Sequence, residues 1–332
     1  MISQGIHEFI FGLEDGQQDE WLRFWEILGF IPVVEGRLDR DRAERLYGHA
    51  SALHSFRLEH PGCQTFGTGL VRLHFWTHLR NEGLADARPT EIGSRWMGLY
   101  THDILQVRDS FSSQAACKQW RLWMSPLVNA PLVKPAPEHD FHTPFVGLRE
   151  TVILGDRFRL AFIQRAGFDR PGFGTFDDKL PYKNTEGSHA NVIQPARSFS
   201  TEFYKSVFGF ETAPFGEAHD SGDDPATMAA LNLRDGELFR VERTRAPDCP
   251  SGILQVYAPY SNTRDLRERS RAGCANLGLY SVRTSHLDRF AATLTSHDPN
   301  LPISSSDDEF GHPAMCFDAP DGYQWLISQD VA

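Results

Sequence analysis

Cysteine is scarce: five residues among 332, at positions 63, 117, 249, 274 and 316, with no CxxC pair. An odd and scattered set argues against a disulfide framework or a structural zinc site, and makes the reducing cytoplasm the expected location. Long apolar runs are missing as well. No window approaches the ~20 apolar residues that span a bilayer, and Met1 to His7 lack the basic-then-apolar pattern expected of a secretory signal. Basic residues are outnumbered, 33 Lys+Arg against 44 Asp+Glu, giving a formal charge of −11. Nucleic acid and anionic membrane select for Lys/Arg-rich faces, so neither is expected as a partner. The absence of GxGxxG, P-loop, GxSxG and HExxH motifs leaves nucleotide cofactors, common serine hydrolases and zincins without support. A small-molecule substrate remains, and a homodimer stays open.

What the chain does contain is a repeat. Gly5–Phe11 reads as a strand, Asp19–Leu28 as a helix, and Gly29-Phe30 follows. The same order recurs from Leu99, from Ser188 and from Asn276, aligning His7, His102, His189 and Asn276 at separations of 95, 87 and 87 residues. Each unit ends in paired strands, such as Gly69–Trp76, Glu150–Ile163, Thr227–Glu242 around Asp235-Gly236, and Pro313–Ile327. Strand, helix and about three strands, four times over, predict an α+β fold. Modules 1–92 and 93–165 form the expected N-terminal pair and modules 187–248 and 249–332 the C-terminal pair. The Gly- and Pro-rich stretch 166–186 reads as the linker.

The phrase His189 … Phe203-Tyr204 … Phe208-Gly209-Phe210, with the terminal Asp318-Ala-Pro-Asp-Gly-Tyr-Gln-Trp-Leu, resembles the vicinal oxygen chelate superfamily. That group includes glyoxalase I, bleomycin-resistance proteins and type I extradiol dioxygenases. The resemblance implies four βαβββ modules paired into two cupped mixed sheets, with helices on the outer faces. It also implies a divalent metal in a cup, held by His, Gln or Glu from first and last strands.

Strand alternation assigns residues to that cup. It places His7, Phe9 and Phe11, then His102, Ile104 and Gln106, then His189, Asn191 and Ile193 on cup faces. In the last strand of module one it selects Arg72, His74 and Trp76, and in that of module two Arg157, Arg159 and Ala161. On the resemblance, His7, His74 and His102 are the candidate metal ligands, with His189 and Glu242 as a second set. Asn276 and Leu326 depart from the family's ligand pattern. His142 and His312 are candidate proton carriers, and Phe9, Phe11, Trp76, Gln106 and Arg159 candidate substrate contacts. The competing reading of each histidine is a half-buried ring donating to a carbonyl.

Three imidazoles with open positions suit Fe(II), which is favoured, or Mn(II), Zn(II) or Ni(II). The leading expectation is a metal-dependent, extradiol-like dioxygenase acting on a small oxygenated aromatic compound. A metal-dependent lyase or isomerase on the same scaffold is the second reading, and a non-enzymatic binding or resistance protein the third.

Overall fold

A computed structural model describes residues 2, 4–132, 145–168, 174–222, 224–261 and 263–330. Module one supplies β1 (Glu8–Glu14), α1 (Gln18–Ile27), β2 (Ile31–Leu38), α2 (Arg40–Tyr47), β3 (Leu53–Glu59), the short α3 (Cys63–Phe66) and β4 (Leu70–Trp76). Module two supplies β5 (Gly93–Tyr100), α4 (Ile104–Lys118), β6 (Leu122–Met124), β7 (Val128–Pro131), β8 (Gly147–Gly155) and β9 (Arg159–Ala166). Module three follows with β10 (His189–Ile193), α5 (Glu202–Ser206), β11 (Glu211–Thr212), β12 (His219–Ser221), α6 (Pro225–Leu231), β13 (Phe239–Arg245) and β14 (Ile253–Pro259). Module four closes with β15 (Asn276–Thr284), α7 (Leu287–His297), β16 (Ile303–Asp307), β17 (Pro313–Asp318) and β18 (Gln324–Gln329). No described helix is long and apolar enough to cross a membrane.

Two mixed sheets result, ordered β16-β17-β18-β15-β1-β4-β3-β2 and β11-β13-β14-β10-β5-β9-β8-β6. The α+β reading and the four modules hold. Their pairing differs from the expected one, because module one joins module four and module two joins module three. The seams are antiparallel first strands, β1 on β15 with Glu8 opposite Ser281, and β10 on β5 with His189 opposite Gly98. Side-chain complementarity accompanies this choice: Ser281 Oγ donates to Glu8 at 2.6 Å, and a Cβ on Gly98 would collide with the His189 ring. The division at residues 165 and 187 therefore does not follow the sheets, and β14, parallel to β10, carries module three past the expected boundary at residue 248.

The convex faces of the two sheets share one apolar core. Phe9, Phe11 and Leu73 from the first sheet meet Met97, Leu99, Phe162, Val192 and Leu254 from the second. Between them lie α1, α4, α5 and α7, whose apolar residues recur at helical spacing: Trp21, Phe24 and Trp25 in α1, and Leu287, Phe290 and Leu294 in α7. Tyr280 of the first sheet and Tyr323, in the turn before β18, donate to the carbonyls of Asn191 and Ile193 in the second, at 3.2 and 2.6 Å. Two helices depart from this arrangement. α2 packs Ala43, Leu46 and Tyr47 into the concave face of the first sheet, and α6 packs Ala230 and Leu231 into that of the second.

Local chemistry corrects two element assignments. The first strand of module two ends at Tyr100, and Ile104 begins a helix capped by Asp103, whose carboxylate accepts from the backbone N–H of Gln106. Asp103-x-x-Gln106 together with the helical spacing of Ile104, Val107 and Phe111 is a helix-start pattern, so His102 and Gln106 do not belong to a strand. Likewise Thr227 to Leu231 is helical rather than strand-like, because Asp224 caps it and Pro225 occupies its first turn.

Candidate functional site

The side chains of β1 divide between two faces. Phe9 and Phe11 enter the shared core, Phe11 against Trp25, while Glu8 and Ile10 turn into the cup. The expected orientation of Phe9 and Phe11 is therefore reversed, and His7 is not brought together with the other two histidines. His7 lies buried just before the strand, its Nδ1–H donating to the Gly67 carbonyl at 2.6 Å. Burial, followed by nearby cations, pulls its pKa down to about 3. His74 does face the first cup, with Nε2 at 2.8 Å from Glu309 Oε1. His102 is half exposed, stacked on Phe176 with ring centroids 3.8 Å apart and bonded to Asp178. Among the described residues no three His, Cys, Asp or Glu side chains converge on a metal position.

The first cup is closed by its own polar groups. Glu8 accepts from Arg57 at 2.7 Å and from Arg72 at 3.0 and 2.5 Å. Arg72 also donates to Glu309 at 3.1 Å, and the Tyr47 hydroxyl of α2 donates to the same carboxylate at 2.8 Å. Burial opposes charge here, yet Arg72 and Arg57 hold the Glu8 carboxyl well below the usual range, and Arg72 and His74 do the same for Glu309. Trp76 packs against Tyr47 in this filled cup, so it contacts protein where substrate was expected. His312 sits in the β16–β17 turn, its backbone N–H donating to Asp308.

The second cup holds an open cavity of about 210 Å³. His189 lines it, together with Tyr100, Glu150, Arg165, Asp224, Arg243, Gln255 and Tyr257. These side chains follow from alternation: Arg243 shares a face with Phe239 and Val241 on β13, and Tyr257 continues that face from β14. The Ser188 hydroxyl donates to the Gly98 carbonyl at 3.1 Å and lies 2.8 Å from His189 Nδ1. Nδ1–H then donates to Ser188 Oγ, leaving Nε2 as an acceptor without a partner among the described residues. Burial, Arg243 and Arg165 lower the His189 pKa to about 3, so the imidazole is neutral. Glu150 has no hydrogen bond or ion pair among the described residues; burial and then Asp224 raise its pKa to about 7. Arg243 donates to the Phe215 carbonyl at 3.2 Å, and Arg165 donates to the Tyr100 hydroxyl at 3.0 Å.

The other expected site residues lie elsewhere. Glu242 points to the convex side, where Thr201 and Lys205 bond it at 2.7 and 2.5 Å. Arg159 is buried, donating to the carbonyls of Arg95, Leu84 and Ala87. Gln106 is exposed on α4. His142 falls outside the described residues. Of the residues that the sequence pattern left out, Arg165 lies two alternation steps beyond Ala161 on β9, and Gln255 and Tyr257 lie on the last strand of module three.

The described residues of the second cup do not offer the donor set of a divalent metal. Gly98 stands opposite His189 and contributes no ligand, and both arginines raise the local potential against a cation. The same features suit an anion.

No family model and no curated protein sequence matches the chain. Solved structures do. Glyoxalase I from Zea mays has 12% identity and a TM-score of 0.58 over 98% of this chain and 92% of its own. A point variant of the same maize enzyme gives 11% identity and a TM-score of 0.59 over 98% and 94%. A candidate dioxygenase from Bacillus subtilis has 12% identity and a TM-score of 0.54 over 99% and 86%. The chain thus has the vicinal oxygen chelate fold. Within that class it takes the four-module form, in one chain spanning nearly the whole length of the maize glyoxalase I structures.

Proposed function

We propose that the chain is an enzyme that moves a proton on a small, oxygen-rich, anionic substrate held in the cup of modules two and three. The observation that carries this reading is Glu150, an unpaired carboxyl facing a cavity that also holds Arg243, Arg165 and the neutral His189. A group titrating near neutrality is fitted to both accept and return a proton. Two guanidiniums are fitted to hold a carboxylate or a developing enolate oxygen. His189 Nε2 accepts a hydrogen bond from a substrate hydroxyl, and Gln255, whose amide already donates to Tyr257 at 2.5 Å, adds a carbonyl acceptor. The dioxygenase reading and the metal-dependent lyase or isomerase reading both need a metal set that the described residues do not assemble, and the proton transfer proposed is of the lyase or isomerase kind carried by protein side chains.

The test is proton exchange in D₂O, followed by NMR over a panel of small 2-oxo and 2-hydroxy carboxylates. Binding with exchange at the carbon next to the carbonyl is expected, unchanged by a chelator. Glu150→Gln is expected to slow exchange by about 10²-fold or more while binding persists. Binding without exchange would leave a ligand-binding protein instead. Exchange or oxygen uptake that appears only with added Fe(II), Mn(II), Zn(II) or Ni(II) would restore the metal reading.

A further inference from the structure

Two buried acceptors in the second cup stand without a donor. His189 and Gln255 are only 6% and 7% exposed, and both line the cavity. His189 Nδ1–H is committed to Ser188 Oγ at 2.8 Å, which leaves Nε2 as an acceptor. Gln255 commits its amide N–H to the Tyr257 hydroxyl at 2.5 Å, which leaves its carbonyl oxygen. Neither His189 Nε2 nor Gln255 Oε1 has a partner among the described residues. Buried acceptors are nearly always paired, so two that face one cavity point to a ligand that brings donors.

Their placement makes them serve one molecule. His189 of β10 is level with Ile253 of β14, and Gln255 lies one alternation step further along the same face. Directly across from Gln255 on β13 is Arg243, whose guanidinium has no carboxylate partner among the described residues. A carboxylate held by Arg243 therefore brings its neighbouring carbons beside both acceptors. At about 210 Å³ the cavity is smaller than the ~300–1,000 Å³ of sites for drug-sized ligands, so the acid has a short chain.

Charge decides the kind of donor. After burial, Arg243 and Arg165 are what lowers the His189 pKa. The same field that keeps a proton off the imidazole opposes an ammonium brought to it. A hydroxyl donates without adding charge. One hydroxyl supplies one proton, so two acceptors take two hydroxyls.

We infer that the cavity selects a short polyhydroxy carboxylate of the sugar-acid class, its carboxylate on Arg243 and its hydroxyls on His189 Nε2 and Gln255 Oε1. This rests on the reading of the second cup as a carboxylate site and adds the donor pattern that chooses among carboxylates.

Calorimetric titration of the full chain, with chelator present, would compare propanoate, lactate, glycerate, serine and isoserine, acids of one carbon skeleton. Each added hydroxyl is expected to tighten binding by about tenfold, giving a span of about 100-fold from propanoate to glycerate. Serine and isoserine, each with an ammonium in place of one hydroxyl, should bind at least about tenfold more weakly than glycerate. Gln255→Met removes one acceptor and should shrink the span to about tenfold. Should that variant misfold, the wild-type series decides alone. Glycerate binding no tighter than lactate would overturn the inference while leaving a carboxylate site in place. Tighter binding of serine or isoserine than of glycerate would overturn it too. If none of the acids binds, the carboxylate reading of the cup falls as well.

Discussion

The two cups are built by one rule and put to opposite uses. In each, a first strand from one module pairs antiparallel with a first strand from another, setting Glu8 against Ser281 and His189 against Gly98. The first cup then neutralises its charges internally: Glu8 takes Arg57 and Arg72, Glu309 takes Arg72 and His74, and α2 covers the mouth. Among the described residues the second leaves Glu150 unpaired and His189 Nε2 without a partner beside an open volume. Buried charge that finds its partner within the protein is structure. Charge that lines a cavity without one marks the place where a ligand completes the set.

The largest expected contrast is in stability. Arg72→Leu removes the cation that Glu8 and Glu309 share in a closed interior, leaving them Arg57 and His74, and removing one member of a buried ionic cluster costs about 3–5 kcal/mol. Arg243→Leu in the open cup takes away a guanidinium with no carboxylate partner among the described residues, so its cost should stay within about 1 kcal/mol. Urea denaturation of the two variants reads the difference directly. Equal losses would mean that the open cup depends on its charges for folding, and the contrast would fail.

A smaller effect probes the seams. Gly98→Ala forces the His189 ring off its site, and overpacking of this kind costs about 1–3 kcal/mol. It should also weaken any carboxylate bound in the cavity. Ser281→Ala in the closed cup removes one hydrogen bond to Glu8, about 1 kcal/mol, and should leave carboxylate binding untouched. If Gly98→Ala binds as the wild type does, His189 is not part of the site.

The repeat made the fold legible, because four aligned strand–helix units survive in the positions of His7, His102, His189 and Asn276. Which modules pair was not legible, since it depends on contacts such as Ser281 with Glu8 that lie 273 residues apart. At the site, alternation put His74 and His189 on cup faces but reversed the strand at His7, where a one-residue difference in phase exchanges Glu8 for Phe9. The helix beginning at Ile104 carried its own signal in Asp103 and Gln106, and reading that signal would have removed His102 and Gln106 from the cup. Glu150, Arg165 and Arg243 could not be singled out because a charge on a strand reads as solvated until the opposite wall of the cavity is known.

The finest test of the contrast is pH, because the two cups respond with opposite signs. Glu8 and Glu309 are held below the ordinary carboxyl range by Arg72 and its neighbours. Their contribution is present above about pH 4.5 and is lost as acid protonates them. Glu150 is raised to about 7. Between about pH 4.5 and 7 the folded chain keeps a proton that the unfolded chain releases, so this contribution is full below that window and declines through it. His189, lowered to about 3, adds an acid-side loss of its own between 6.5 and 3, which is why whole-protein profiles would blur the two effects. Differences against single variants separate them. Wild type minus Glu309→Gln should fall as pH drops below about 4.5. Wild type minus Glu150→Gln should fall as pH rises from 4.5 to 7, by about 1 kcal/mol once solvent screening is allowed for. A Glu150→Gln difference that stays flat across this window would mean the carboxyl is solvated like any surface glutamate, and it would then be a poor candidate for returning a proton at neutral pH.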